Sequence, residues 1–208
     1  MLFGGHMKKR ISVSPLSCIW FTVLLLLDTP YLFPMVCAVC LHEAGHILFA
    51  YLLHVRISRI EISMLGARMK VNGTALSYKK EFMLALGGPL AGALGFLFCF
   101  PIALRYSALP FFCEGLLPFS VISLALSVFN LIPIDTLDGG RMLRCAISHI
   151  FSCETADTVM KICTFFTLIL LWSFSVYLML RTVTGVTLFV FSAILFINHF
   201  ISGRKKCD

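Results

Sequence analysis

Six apolar runs constrain this chain more than any other feature. They fall at about residues 13–27, 32–53, 82–104, 116–134, 162–180 and 183–201. Most approach the roughly 20 residues a helix needs to cross the hydrocarbon core. In lipid, backbone N–H and C=O groups have to be satisfied within the segment, which favours helices over any open strand arrangement. Composition points the same way: 59% of the 208 residues are hydrophobic and 13% charged, against about half and a quarter in a soluble domain. The expected fold is all-α and polytopic, a single integral membrane domain spanning 1–208 with about six transmembrane helices.

The formal net charge of +7 does not indicate nucleic acid, because the cationic residues lie between apolar runs and form no single basic face. They serve better as orientation signals, since cytoplasmic loops carry the Lys and Arg excess. With the N-terminus inside and six spans, only Arg105 and Arg181 of the 17 Lys and Arg residues fall outside. Both termini are therefore expected in the cytoplasm. The cluster Lys8-Lys9-Arg10 before the first run reads as the flank of an uncleaved signal anchor. Nine cysteines, mostly within apolar runs, read as buried thiols. The Cys37/Cys40 pair is spaced as small residues on one helix face.

Ionisable groups inside an apolar run are costly and call for a role. The second run holds three in Leu41-His42-Glu43-Ala44-Gly45-His46. In this H-E-x-x-H pattern the two histidines at i and i+4 share a helix face and can hold one Zn²⁺, with the intervening Glu as base. A catalytic zinc usually takes three protein ligands. The end of the fourth run, Asn130-Leu131-Ile132-Pro133-Ile134-Asp135-Thr136-Leu137-Asp138-Gly139-Gly140-Arg141, offers two acidic candidates. Both runs are expected to travel from outside to inside, so the two motifs approach the same membrane face. Asp138 is preferred and Asp135 competes with it. Pro133 breaks the helix, and Gly139-Gly140 is expected to let the backbone turn and approach closely.

Together, H-E-A-G-H and N-L-I-P-I-D-T-L-D-G-G-R resemble the site-2 protease family of intramembrane zinc metalloproteases (peptidase family M50). Within it they look like the small bacterial branch typified by stage IV sporulation protein FB. The resemblance runs from about residue 8 to 201. It implies hydrolysis of a peptide bond in or near a transmembrane segment of a membrane-tethered protein, such as a pro-sigma factor or another membrane-bound regulator. The implied ligands of one Zn²⁺ per chain are His42, His46 and Asp138. Glu43 matches the catalytic glutamate, and Asn130 matches an asparagine that positions substrate or stabilises the oxyanion. The implied setting is a bacterial cell membrane, with the site near its cytoplasmic side, partner membrane proteins as regulators, and no PDZ or CBS domain.

Two positions depart from the family pattern. Asp135 and Thr136 stand where a second proline is usual, and Gly92, in Gly87-Gly88-Pro89-Leu90-Ala91-Gly92, stands where Asn is common. From the residues alone, that glycine-rich stretch reads as close helix packing. Between the second and third runs, Ile60, Ile62 and Met64 alternate with Glu61 and Ser63, and Met69 and Val71 with Arg68 and Lys70. Period two with Gly66-Ala67 between reads as a short interfacial β-hairpin, whose edge could accept a substrate strand. His54, His149 and His199 fall near span ends, where an imidazole is ordinary. A metal transporter is the competing function class, but transport gives Glu43 no required role.

Overall fold

The computed structural model describes residues 10–13, 31–55, 57–63, 66–71, 76–181, 189–190 and 192–197. These form two compact units, Met1–Phe129 and Asn130–Asp208. In the first, strand β1 (Arg10–Val13) is followed by helix α1 (Leu32–Leu52), strands β2 (Ile57–Ser63) and β3 (Gly66–Val71), and helix α2 (Tyr78–Arg105). A π-helical turn (Phe111–Leu116) then leads into α3 (Leu117–Asn130). The second unit contains α4 (Asp138–Ile150) and α5 (Cys153–Arg181), and residues 189–190 and 192–197 are also helical.

Four helices among the described residues are long and apolar enough to cross a membrane: Leu32–Leu52, Tyr78–Arg105, Phe111–Asn130 and Cys153–Arg181. They correspond to the second to fifth expected spans. The first expected span lies outside the described residues except for Val13, and the sixth is described only in part. Large side chains such as Phe98 (65% exposed) and Leu170 (71%) face outward, while the buried positions are mostly small. Ala38, Ala50, Ala85 and Ala103 are buried in the first unit, as small residues let helix backbones approach where no water drives them together.

α1 packs on α2 through glycine. A β-carbon on Gly45 would run into the Gly87 carbonyl and lie 2.6 Å from the Ala91 methyl, and one on Gly87 would lie 2.8 Å from the Gly45 carbonyl oxygen. Gly92 is filled against in the same way by the Ser127 hydroxyl. The reading of 87–92 as a packing surface therefore holds at Gly87, Ala91 and Gly92.

β2 pairs antiparallel with β3, with Ile60 opposite Met69 and Ile62 opposite Ala67, and the register shifts between Ile57 and Arg59. Residues 64–65 between the strands lie outside the described residues. β1 pairs in parallel with β2, Ile11 opposite Ile60, so β2 is the middle strand of three. Nothing in the sequence marks this third strand. Arg10–Val13 reads as the junction of a basic cluster and an apolar run, and parallel pairing leaves no local turn signal.

The second unit corrects a further expectation. Gly139 and Gly140 do not make a turn; they are the second and third residues of α4. They are glycines because β-carbons there would collide with the Leu131 and Ile134 carbonyls of the preceding segment. Pro133 does stand outside helix, between α3 and α4. At 13 residues, α4 is too short to span a bilayer, and it packs against α5.

α1 ends in a Schellman arrangement: the Val55 N–H donates to the Ala50 carbonyl at 2.9 Å and the His54 N–H to the Tyr51 carbonyl at 3.1 Å. This requires left-handed backbone at His54 (φ 53°), a position that favours glycine. Lys80 adds a cation at the same helix end, donating from Nζ to the Leu53 carbonyl at 3.3 Å. His54 is thus a helix-terminating residue. Replacing it with Gly is expected to stabilise the protein by about 0.5–1 kcal/mol, the relief of αL strain exceeding the added unfolded-state entropy. Thermal unfolding in detergent checks this; a loss of stability would mean that the imidazole makes a contact worth more than the strain.

Candidate metal centre

H-E-A-G-H lies on α1, and its alternation of costly and small residues has a geometric reason. Gly45 is the crossing point with α2, so the residues flanking it are pressed against that helix. His42 and His46 are both buried, with ring centroids 5.0 Å apart in an edge-on arrangement. Across from them lies Gly88. A β-carbon there would be 2.6 Å from His42 Nε2 and closer still to His46 Nε2, so the missing side chain is the space into which both Nε2 atoms project.

The other ring nitrogen of His46 fixes its tautomer. Nδ1 lies 2.8 Å from the Leu84 carbonyl oxygen and 3.3 Å from the Gly88 backbone nitrogen. One ring nitrogen cannot donate to the first and accept from the second. The carbonyl can only accept and makes the shorter contact, so Nδ1 carries the proton. Nε2 is then the unprotonated nitrogen, the one able to bind a metal, in the usual outer-shell arrangement of a metal-binding histidine. Pro89, buried within α2, has no N–H to donate to the Ala85 carbonyl.

Glu43, between the histidines, is half-buried. In the second unit, Asp138 is the first residue of α4 and is buried. A carboxylate there benefits from the unsatisfied N–H groups of the first turn, and the Arg141 guanidinium lies 4.0 Å from its Oδ1. Asp135 is half-buried, and Asn130 is half-buried at the end of α3.

His42 and His46 in the first unit and Asp138 in the second are residues that could supply ligands to a metal ion. Two neutral imidazoles and a carboxylate suit a borderline divalent cation such as zinc, and the cleared space at Gly88 suits an ion between the rings. Among the described residues no other group of three or more such ligands occurs. Cys37 is half-buried and Cys40 exposed, both as free thiols, and neither joins the group. Nor do His54 and His149; His199 lies outside the described residues. Sequence reasoning missed the part played by Gly88. Its only signal was a doubled glycine before a proline.

The family model for Peptidase family M50 matches residues 110–174, which include the Asp138 segment and exclude H-E-A-G-H. Among solved structures, the fold is similar to that of the site-2 protease from Methanocaldococcus jannaschii. The TM-score is 0.63 at 19% sequence identity, covering 95% of this chain and 92% of that one. No curated protein matches the chain.

Gly88→Ala is expected to weaken Zn²⁺ binding at least about tenfold, because the methyl occupies the space of both Nε2 atoms. Gly115→Ala, at a glycine with nothing near its β-position, should bind as wild type does. Equal affinity of the two variants in a chelator competition would refute the role given to Gly88.

Proposed function

We propose that this chain is an intramembrane zinc metalloprotease of the site-2 protease type acting on membrane-tethered proteins, a reading supported by the match of residues 110–174 to the Peptidase family M50 model and by the likeness of its fold to a site-2 protease. The observation that carries this reading is the His42, His46 and Asp138 donor set with Glu43 set between the two histidines. Zn²⁺ held there would supply Lewis acidity to a water and to the scissile carbonyl. Glu43 takes a proton from the attacking water and returns it to the leaving amine. Asn130 orients the substrate or donates to the developing oxyanion.

A transmembrane substrate helix has its carbonyls occupied by i to i−4 hydrogen bonds, so the bond to be cut has to leave the helix first. The sheet supports a route. β1 and β3 flank β2, which leaves the far side of β3 as the hairpin edge to which an extended substrate segment could add. The basic connections support a site near the cytoplasmic face, with both termini in the cytoplasm. The likeness to the sporulation branch favours a bacterial membrane-bound regulator, such as a pro-sigma factor, as the substrate class.

Glu43→Gln is expected to keep Zn²⁺ and lose cleavage by about 10²–10⁴-fold, whereas Asp138→Asn should lose the metal itself. The comparison is made on membrane-protein fragments from cells carrying each variant at equal abundance. New termini within transmembrane segments, present only with wild type, support the protease. Zinc flux that survives Glu43→Gln, with no fragment differing, would favour transport instead. Chelation should abolish cleavage and Zn²⁺ restore it.

A further inference from the structure

The segment that delivers Asp138 is held from α5. The Asp135 backbone N–H donates to Thr164 Oγ1 at 3.2 Å, and Thr164 is fully buried. Arg144, on α4 beyond Asp138, reaches in two directions. Its Nη1 lies 3.9 Å from Asp135 Oδ1, and its Nη2 is hydrogen-bonded to Asp157 Oδ1 on α5. One guanidinium thereby ties the turn before α4 to the helix packed beneath it.

Local features alone do not fix the start of α4. Leu137, the residue before it, contributes no side-chain cap, and Gly139 and Gly140 have no side chains with which to lock an orientation. Within the turn the Ile134 N–H donates to the Ile132 carbonyl and the Leu137 N–H to the Ile134 carbonyl, and the Arg141 N–H donates to the Leu137 carbonyl. The burial of the two acids differs correspondingly. The Asp135 side chain is 38% exposed and turned to Arg144, whereas that of Asp138 is 11% exposed.

We infer that Asp135 is a positioning residue and not a metal ligand: the Asp135–Arg144–Asp157 bridge holds the Pro133–Leu137 turn so that Asp138 presents its carboxylate to the metal. This rests on the metal-centre reading above. Ion pairs this exposed contribute little to overall stability, so breaking the bridge should displace the ligand without unfolding the protein. Thr164 and the glycine contacts keep the turn near its place, which makes the expected effect graded.

The test titrates the full chain in detergent with Co²⁺, whose visible absorption reports on its ligands, in wild type, Asp135→Asn, Arg144→Met, the double variant, Arg144→Lys and Asp138→Asn. Each of the first two changes is expected to weaken Co²⁺ binding about tenfold and to shift the absorption bands. The double variant should be no worse than either, because both remove the same link. Arg144→Lys should recover part of the affinity. Unchanged affinity and spectra in Asp135→Asn and Arg144→Met would overturn the inference, as would additive losses in the double variant. So would an Asp135→Asn protein that loses Co²⁺ as completely as Asp138→Asn, since Asp135 would then be a ligand. If wild type itself bound no Co²⁺ or Zn²⁺, the metal-centre reading would fall and this inference with it; normal wild-type binding with unaffected variants would refute only the bridge. Should Arg144→Met not fold, Asp157→Asn cuts the same link from α5.

Discussion

The backbone contact between Gly45 and Gly87 is the constraint from which the arrangement of the histidine pair follows. Two helices that meet at glycine can approach until carbonyl faces α-carbon, and this crossing lies inside the H-E-A-G-H motif itself. The histidines on either side of Gly45 cannot then turn to lipid; they are pressed against the next stretch of α2. There Gly88 provides the space for both Nε2 atoms, and the Leu84 carbonyl takes the His46 Nδ1 proton. Helix packing and the geometry of the histidine pair are thus one feature. A bulkier residue at Gly45 or Gly87 would disturb the histidines without touching them.

The carboxylate is placed by different means. Asp138 comes from the first residue of a short helix entered from an irregular turn, so its position depends on contacts that the turn does not make by itself. Glycine contacts with the Leu131 and Ile134 carbonyls set how near α4 lies to the preceding segment, and polar links to α5 restrain its direction. The contrast has a physical basis. A pair of ligands on one continuous helix inherits its geometry from the 3.6-residue repeat, whereas a ligand at the end of a coil has to be held from outside. Irregular backbone of this sort is tolerated at membrane depth only where protein or a watery cavity satisfies it, and a hydrolytic site needs such a cavity for its water.

The glycines at 87, 88, 139 and 140 all mark close approaches, yet their consequences differ. Gly87 joins helices, Gly88 clears space for the two imidazoles, and the other two seat the start of α4. Sequence shows the absence of a side chain at each position but not what fills the space, and so 139–140 reads as a turn when it is helix. The strand at Arg10–Val13 was hidden for a similar reason: its partner β2 is far along the chain, and parallel pairing leaves no turn residues between them. His54 shows the converse, a residue with chemical potential whose place is explained by backbone geometry at a helix end.

By itself, the sequence determined the class of molecule, the apolar runs matching α1, α2, α3 and α5, and the candidate residues for the chemistry. Each of these follows from local composition or from spacing along one helix. Hydropathy sums over a segment, and i to i+4 histidines share a face wherever that helix is placed. Tertiary structure alone decided the role of Gly88, the protonated nitrogen of His46, the helical start at Asp138, and the contact that draws Asp135 to Arg144. Those depend on distances between residues far apart in the chain. Two aspartates three positions apart carry identical chemistry in sequence, and only their neighbours in the fold distinguish them.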